Sequence, residues 1–218
     1  MIFANDLFGS KIEAAPGVEG WCPACQEKMI AKCGEIKIWH WSHIGGTDCD
    51  DWHEPMTQWH IDWQGNFTFD LQEVVISRGD KVHRADVRLL PSGVVLEFQH
   101  SSISTEEIKA RELFYQKMIW VFDVIEPHAA GRFDVNLKKG FDTFTWKQSK
   151  KSIGFCTRHV VFDLGNDTVL SVSKLYPAES SDVSEDGYSY NNGKPMGGWG
   201  NLQTRHEFIS WLKAGRGL

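Results

Sequence analysis

One stretch of twenty residues constrains the fold of this chain more than any other. Residues 83–102 read HRADVRLLPSGVVLEFQHSS, and a Pro-Ser-Gly turn separates two segments that are predicted to be strands. Asp86 lies on the first strand, and Glu97 and Gln99 lie on the second. Because side chains alternate along a strand, Glu97 and Gln99 point to the same face of the predicted sheet. The stretch therefore predicts a hairpin with a carboxylate on each strand.

These side chains predict a site for a divalent metal ion. Mg²⁺ prefers a few carboxylate oxygens and retains several waters, and Asp86, Glu97 and the backbone carbonyl of Phe98 could supply such ligands. Gln99 is neither a cation nor a base, so it can orient a water or donate to a phosphate oxygen. Acidic residues on strands are common at protein surfaces. The prediction therefore depends on the elements that flank the hairpin.

A helix is predicted before the hairpin. Residues 50–64 follow a helical pattern in which Met56, Trp59 and Trp63 form one apolar stripe. His60 occupies a neighbouring face, one turn before Gln64. Spacing alone favours an ordinary, partly buried histidine at position 60.

The other elements complete an order of helix, three antiparallel strands, helix and strand. Residues 67–77 predict the first strand of the three. After the hairpin, Ser104 and Glu107 form a capping box that opens a helix extending to about residue 118. The continuous apolar run at 119–124 is typical of a buried strand, and the helix before it would act as a crossover that places this strand parallel to a neighbouring one.

Two pairs of metal-ligating residues precede these elements. Cys22 and Cys25 form a CxxC pair, and His40 and His43 follow after an excursion of 14 residues. Two thiolates and two imidazoles at this spacing predict a structural, tetrahedral zinc site. Such a site keeps no open coordination position, so its expected role is folding or DNA docking rather than catalysis.

Two further cysteines compete for the same site. Cys33 falls at the turn of the predicted excursion, a hairpin whose second strand should contain Ile36 and Ile38 in alternation. Cys49 lies beyond the histidine pair. A redox CxxC is the alternative interpretation, and it leaves the two histidines unexplained.

Hydropathy and the start of the chain predict a cytoplasmic protein. No apolar run reaches the roughly 18 residues of a membrane span, and the first residues lack the charged and apolar regions of a signal peptide. The five cysteines are then expected to be thiols or metal ligands rather than disulfides.

The charge of the chain is unevenly distributed. A net charge of −6 argues against a simple basic coat protein for nucleic acid, although a nuclease site is itself acidic until metal binds. Residues 132–158 nevertheless contain seven basic residues against two acidic ones. This segment could hold phosphates through counterion release, and a solvated basic face is an equally good interpretation. Its basic residues are Arg132, Lys138, Lys139, Lys147, Lys150, Lys151 and Arg158.

The last third of the chain predicts a β-rich extension. Strands are predicted at 141–146, 159–164 and 169–174. Residues 177–198 are polar and rich in Gly, Ser and Asn, which predicts a loop or a disordered insertion. A short helix is predicted at 204–214.

Taken together, these motifs resemble those of one family, the competence protein CoiA-like proteins, which are predicted nucleases of the PD-(D/E)xK superfamily. The resemblance covers nearly the whole chain. One departure is Gln64, where a lysine would be expected. The motifs that carry the resemblance are Cys22-Pro-Ala-Cys25 with His40-Trp-Ser-His43, Glu54, Trp59-His60 with Trp63, Arg84-Ala85-Asp86-Val87, Glu97-Phe98-Gln99-His100-Ser101-Ser102-Ile103, Arg111 to Tyr115, Phe162-Asp163-Leu164-Gly165 and Gly198-Trp199-Gly200.

The resemblance implies an α/β (α+β) fold with a restriction-endonuclease-like core, in which helices flank a mixed sheet. A small zinc-binding β module at 1–49 would precede a nuclease core at 50–128. A β-rich extension at 129–218 would contain the basic segment and the terminal helix.

The resemblance also implies a nuclease that depends on Mg²⁺ or Mn²⁺. Asp86 and Glu97 would be the metal-binding carboxylates, and Gln99 would stand in the place that lysine often holds. Either Glu73 or His60 would complete the site, and spacing does not choose between them.

The expected substrate is DNA, single-stranded or branched DNA included, in recombination, repair, DNA uptake or phage-related processing. Arg111 and Tyr115, one helical turn apart, could contact a phosphate or support the sheet, and Lys147, Lys150 and Lys151 are candidate DNA-binding residues. One alternative is a non-catalytic, zinc-containing DNA-binding accessory protein with a degenerate nuclease fold. Another is a redox or zinc-regulated protein centred on the CxxC pair.

Overall fold

The computed structural model describes residues 1–45, 49–52, 56–177 and 195–215. The chain divides into two compact units, Met1–Glu97 and Phe98–Leu218. The strand Val95–Gln99 runs across this division, so its last two residues belong to the second unit.

The first unit begins with a five-stranded antiparallel sheet in the order β2-β1-β3-β4-β5. Its strands are β1 (Phe3–Asn5), β2 (Lys11–Glu13), β3 (Gly20–Trp21), β4 (Lys28–Lys32) and β5 (His40–His43). A small core packs against it, and it contains a predicted metal ligand. The members of this core are Ala4, Ala14, Cys22, Met29 and Trp41.

The predicted hairpin between the two ligand pairs exists, but its second strand begins later than expected. β4 pairs with His40–His43 and not with residues around Ile36 and Ile38. Ile36 is 98% exposed in a bend, whereas Trp41 is buried in the small core. Burial of Trp41, rather than the alternation of the two isoleucines, therefore decides where the second strand lies.

The rest of the first unit is a short helix and three antiparallel strands, β6, β7 and β8 in that order. A 3-10 turn, Phe69–Leu71, precedes β6. The predicted strand at 67–77 therefore begins later than expected, while the hairpin is confirmed. These elements are α1 (Gln58–Gln64), β6 (Gln72–Arg78), β7 (Lys81–Arg88) and β8 (Val95–Gln99).

Helix α1 is shorter than the predicted helix at 50–64. It begins after Thr57, whose hydroxyl accepts a hydrogen bond from the backbone N–H of His60 at 3.4 Å. Asp50 and Asp51 lie outside the helix, and residues 53–55, with Glu54, fall outside the described residues. The pattern at 50–64 predicts an earlier start, but the hydroxyl cap of Thr57 sets the first turn of the helix.

The second unit contains helices and a large mixed sheet. The strands of this sheet lie in the order β10-β11-β14-β13-β12-β9. β9 and β12 are parallel and the other neighbouring pairs are antiparallel. A 3-10 turn spans Lys151–Phe155. The elements are α2 (Thr105–Tyr115), β9 (Met118–Asp123), α3 (Ile125–Ala129), β10 (Phe133–Lys138), β11 (Phe141–Trp146), β12 (His159–Gly165), β13 (Thr168–Tyr176), β14 (Met196–Thr204) and α4 (Arg205–Lys213).

The predicted fold class, a mixed α/β protein with a large sheet flanked by helices, is confirmed. The capping box of Ser104 and Glu107 opens α2 as predicted, and a second box, Thr204 with Glu207, opens the terminal helix. No helix in the described part of the chain is long and apolar enough to cross a membrane.

The main omission of the sequence prediction is β14, which lies partly within the stretch assigned to a loop. Its sequence, MGGWGNLQT, contains three glycines, a residue type that propensity disfavours in strands. A Cβ added at Gly198 or Gly200 would lie 2.1 Å from a backbone oxygen of β13, at Lys174 or Ser171. Close approach of two backbones therefore requires these glycines, and residues 178–194 of the predicted loop lie outside the described residues.

Candidate metal-binding sites

Three cysteines and one histidine meet in the first unit. The ligand atoms of Cys22, Cys25, His43 and Cys49 all lie within 4.8 Å of one another. The Sγ atoms of Cys22 and Cys49 are 3.6 Å apart, and Sγ of Cys25 lies 3.3 Å from Nε2 of His43. Around a tetrahedral zinc ion, two sulfurs would be about 3.8 Å apart, and a sulfur and a nitrogen about 3.6 Å apart. The donor set and its spacing therefore fit a tetrahedral ion.

A tight turn after β3 presents the first two cysteines. The backbone N–H of Gln26 donates to the carbonyl of Cys22, and that of Cys22 donates to the carbonyl of Glu27, both at 2.9 Å. Gln26 has a φ of 64°, in the left-handed region, which lets the chain reverse within four residues. The backbone N–H of Ala24 also lies 3.4 Å from Sγ of Cys22. The turn aims both sulfurs to one side.

His40 does not belong to this cluster, although the sequence predicts it as a ligand. Nδ1 of His40 lies 2.8 Å from the carbonyl oxygen of Ile38, and Cys49 completes the set of four. His40 and His43 are both on β5, three positions apart, so their side chains leave opposite faces of the strand. An HxxH pair can converge on one ion from a helix but not from a regular strand.

Burial changes the acidity of two cluster thiols. It raises the pKa of Cys22 and, more strongly, that of Cys49 above the ordinary range of a thiol. For Cys49 the neighbouring sulfurs of Cys22 and Cys25 act in the same direction. Binding of a metal ion by these thiols would therefore have to displace protons.

A second group, Asp50, Asp51 and His83, could also hold a metal ion. Its contacts fit a structural role better. Oδ1 of Asp50 lies 2.9 Å from Nδ1 of His83 and accepts from the backbone N–H of Trp52, and Oδ2 accepts from that of Arg84 at 2.8 Å. Burial would raise the pKa of the Asp50 carboxyl, but these hydrogen bonds outweigh it and hold the pKa below its usual value. Asp50 therefore ties the residues after Cys49 to β7.

The hairpin places the two predicted metal-binding carboxylates side by side. In the antiparallel pair β7–β8, Val87 stands opposite Leu96 and Arg88 opposite Val95. If this register continues by one residue, Asp86 stands opposite Glu97, and directly opposed residues have Cβ atoms about 4.5–5.5 Å apart. Glu97 is only 5% exposed. Gln99 follows on β8 and is buried too.

Helix α1 meets the hairpin at Asp86. Nε2 of Gln64 donates to the backbone carbonyl of Asp86 at 3.3 Å. His60, Trp63 and Gln64 are the buried residues of α1, so His60 lies on the helix side that faces this strand. The hydroxyl of Thr57 lies 2.8 Å from Nδ1 of His60, which fixes the ring.

Glu73, the other residue proposed to complete the site, is engaged elsewhere. Its φ of 42° lies in the left-handed region, and its neighbours Gln72 and Val74 pair with Val87 and Ala85 of β7 in one register. Its buried carboxylate accepts hydrogen bonds at 3.0 Å from the backbone N–H groups of Ile2 and Phe3. These contacts tie β6 to β1, so between Glu73 and His60 the geometry favours His60.

The basic segment supplies a cation next to Gln99. Nζ of Lys150 donates to the carbonyl of His100 at 2.7 Å and to that of Ser101 at 3.1 Å. The same Ser101 carbonyl accepts from Nε2 of Gln99 at 3.3 Å. The ammonium group of Lys150 and the amide of Gln99 therefore share one acceptor.

Two family models match the chain: one covers the hairpin with Asp86 and Glu97, and the other covers the cysteine-histidine cluster. A sequence model for the nuclease-like domain of competence protein CoiA matches residues 73–190, more than half of the chain. The chain belongs to the competence protein CoiA family. A second model, for the CoiA N-terminal domain, matches residues 18–51, which include all four members of the cysteine-histidine cluster. No curated protein and no solved structure matches.

The CoiA nuclease-like domain spans Asp86, Glu97, Gln99 and Lys150, and the resemblance inferred from the sequence is thereby confirmed. Two other lysines of the basic segment are exposed. Lys147 is exposed and forms an ion pair with Asp134 at 3.6 Å, and Lys151 is exposed in the 3-10 turn.

Two predicted phosphate contacts in the CoiA nuclease-like domain are buried. Arg111 is 5% exposed, with Nη2 3.9 Å from Glu107 and its guanidinium 6.0 Å from the ring centre of Trp120. Tyr115 is buried as well and packs edge to face with Phe114. Of the two roles left open for this pair, burial favours support of the sheet.

Sequence reasoning overlooked one pair beside the same loop. Nδ1 of His100 lies 2.7 Å from Oδ2 of Asp123, and Oδ1 of Asp123 accepts from the backbone N–H of Ile125 at 2.9 Å. His100 is exposed and directly follows Gln99. A signal for this pair was present in the sequence. His100 directly follows β8 and Asp123 is the last residue of β9, so both side chains lie at the end of a strand.

Proposed function

We propose that this protein is a metal-dependent nuclease that hydrolyses phosphodiester bonds in DNA. The pairing of β7 with β8 supports the proposal, because its register, continued by one residue, would set Asp86 across from the buried Glu97 within the CoiA nuclease-like domain. Two adjacent carboxylates repel each other, and one of them is out of water. A divalent cation is the partner that compensates both charges at once.

Asp86, Glu97 and the backbone carbonyl of Phe98 would hold Mg²⁺ or Mn²⁺. Carboxylate and carbonyl oxygens are the ligands that such hard cations prefer. When bound, the ion would lower the pKa of a bound water and neutralise the charge that develops on the phosphate.

Three side chains of the chain would assist at this site. Gln99, placed beside Glu97 on β8, would orient a water or donate to a phosphate oxygen. Lys150 would supply the positive charge that a lysine at position 99 would otherwise provide. His60, fixed by Thr57 on the helix side that meets Asp86, would accept or orient a proton of the attacking water.

The remaining residues would serve DNA binding and folding. Lys147 and Lys151 are exposed and would contact phosphates through screened electrostatic attraction. Zn²⁺ held by Cys22, Cys25, His43 and Cys49 would fold the N-terminal module. The proposed context is DNA uptake, recombination, repair or phage-related DNA processing.

The second candidate function is a non-catalytic DNA-binding accessory protein. The observation that favours it is Gln99, since an amide cannot replace the charge of a catalytic lysine. Under this alternative the nuclease-like fold would bind DNA without hydrolysing it.

Cleavage assays separate the two functions. The purified chain should be incubated with linear, nicked and single-stranded DNA in Mg²⁺, Mn²⁺ or EDTA. We expect cleavage with either metal and none in EDTA, and loss of cleavage in Asp86→Asn and Glu97→Gln. Asp80→Asn is the matched control, because Asp80 is an exposed carboxylate in the turn before β7. Retained DNA binding without cleavage under every condition would contradict the enzymatic proposal.

A further inference from the structure

Two exposed aromatic rings lie side by side on β11 and β14, two neighbouring strands of the second unit. Phe141 on β11 and Trp199 on β14 are 43% and 39% exposed, and their rings meet edge to face with centres 6.0 Å apart. Thr143 stands directly opposite Trp199, so Phe141 and Trp199 share one face of the sheet. Phe144 and Trp146 leave the opposite face of β11 and are buried. The aromatic pair therefore lies on the outer face.

Each ring has a lysine directly across from it on the next strand. Lys138 on β10 is paired with Phe141, and Lys174 on β13 is paired with Trp199. Directly opposed side chains share a face, with Cβ atoms about 5 Å apart. The four residues, which we call the aromatic row, cross four neighbouring strands over about 14 Å.

The aromatic row is accessible and carries uncompensated positive charge. Both lysines are exposed, and among the described residues neither forms an ion pair. Asp134, an acidic residue on the same face of β10, is paired with Lys147 at 3.6 Å. Gly197 is the residue of β14 two positions before Trp199, so no side chain covers the indole from that position.

Aromatic rings between ammonium groups are the components of a surface for single-stranded nucleic acid. Unpaired bases stack on such rings whatever their sequence, and lysines attract the backbone phosphates. A duplex stacks its bases on one another, so their faces are not available to a flat protein surface. The charge of Lys138 and Lys174 and the exposure of the rings thus complement a single strand rather than a duplex.

We propose that the aromatic row binds single-stranded DNA, with bases stacked on Phe141 and Trp199 and phosphates held by Lys138 and Lys174. The choice of DNA over RNA rests on the proposed nuclease function. Stacking and phosphate pairing themselves make no use of a 2′-hydroxyl. The row is distinct from the basic residues near Gln99, and it extends the proposed function by naming a substrate form and the surface that holds it.

The test measures binding of the full-length chain in a buffer without Mg²⁺, Mn²⁺ or chelator, so that cleavage does not interfere and zinc stays bound. Fluorescence anisotropy would follow a labelled dT oligonucleotide, a duplex and a U oligonucleotide of the same length. We expect Phe141→Ala and Trp199→Ala each to weaken binding of the dT strand by roughly five- to a hundredfold, the range of one base stacked on one ring. Trp199→Phe should retain most of the affinity because it retains a stacking surface.

The lysines are tested by salt dependence. Replacing Lys138 and Lys174 together with Gln should reduce the slope of log affinity against log salt by about 1.4, the value for two phosphate contacts to a single strand. Leu137→Ala is the matched control. Leu137 is exposed on β10 next to Lys138 but points to the other face. Its replacement should leave affinity and slope unchanged.

Three results would overturn the proposal. If Phe141→Ala and Trp199→Ala bound the dT strand with unchanged affinity, the two rings would only stabilise the sheet and would not bind DNA. Tighter binding of the U strand would contradict the choice of DNA. A wild-type dimer that Trp199→Ala converts to a monomer would make the face a contact with a second copy of the chain. Absence of cleavage in Mg²⁺ would contradict only the nuclease proposal, because the binding is measured without Mg²⁺ or Mn²⁺.

Discussion

Replacement of Glu73 tests whether this carboxylate is structural or catalytic. Glu73 is 3% exposed, and its oxygens lie 3.0 Å from the backbone nitrogens of Ile2 and Phe3. These contacts hold β1 against β6, and no metal ion is required to account for them. If the interpretation is correct, a change at Glu73 should affect the stability of the protein much more than the rate of cleavage.

The expected magnitude follows from the two backbone donors. A hydrogen bond to a charged group contributes about 1.5–3 kcal/mol. Glu73→Ala removes the acceptor of the half-buried N–H of Ile2 and of the buried N–H of Phe3, so it should lower the free energy of unfolding by about 3–5 kcal/mol. Glu73→Gln keeps one acceptor oxygen and should lose about 1–2 kcal/mol. Since small proteins are stable by only about 5–15 kcal/mol, the Ala variant should be close to unfolding.

The assay combines urea unfolding with cleavage measured per folded molecule. Glu73→Gln should have a lower unfolding midpoint and a turnover number close to that of the wild type. His60→Gln should lower the turnover number by about 10²–10⁴, the range of a lost general base. If Glu73→Gln abolished cleavage and left the unfolding curve unchanged, Glu73 rather than His60 would complete the site, and the reasoning from its hydrogen bonds would be refuted.

Three further predictions concern the metal cluster, the cation beside Gln99 and a buried histidine. Cys49→Ser should lose most of its bound zinc in elemental analysis while His40→Gln retains one ion per chain; the opposite result would restore His40 as a ligand. Lys150→Gln should lower the turnover number by about 10²-fold, as expected when one charge-stabilising donor is removed. Lys147→Gln should change mainly the affinity for DNA. Equal effects of the two variants would make Lys150 an ordinary phosphate contact. Burial lowers the pKa of His159, so below pH of about 6.5 the unfolded chain binds a proton that the folded chain does not, and stability should fall as pH falls. Urea midpoints at several pH values should show a smaller decrease in His159→Gln, and an identical decrease would show that His159 does not contribute.

Local sequence patterns predicted many elements of the fold correctly. The capping box of Ser104 and Glu107, the apolar run that became β9 and the turn between β7 and β8 all depend on residues close together in sequence. Errors occurred where a distant contact outweighed the local pattern. Trp41 placed β5 by entering the small core, and the glycines of β14 fit because the backbone of β13 passes close by.

The candidate site shows the same division. The alternation of Glu97 and Gln99 and the position of Asp86 on the neighbouring strand were readable from the sequence, and the structure pairs these two strands at Val87 and Leu96, the residues next to Asp86 and Glu97. Lys150 was proposed only as one of several basic residues. Its place beside Gln99 depends on a contact across about fifty residues, which no local pattern encodes.

The sequence by itself determined the family, the class of fold and the hairpin with its two carboxylates, because strand alternation and turn chemistry act over a few residues. Only the tertiary structure decided that Cys49 lies with Cys22, Cys25 and His43, and that Glu73 binds the backbone at the first strand. It also assembled the aromatic row from four strands. Each of these outcomes depends on which distant segments pack together. The free energy of that packing comes from contacts throughout the core and not from any one sequence motif.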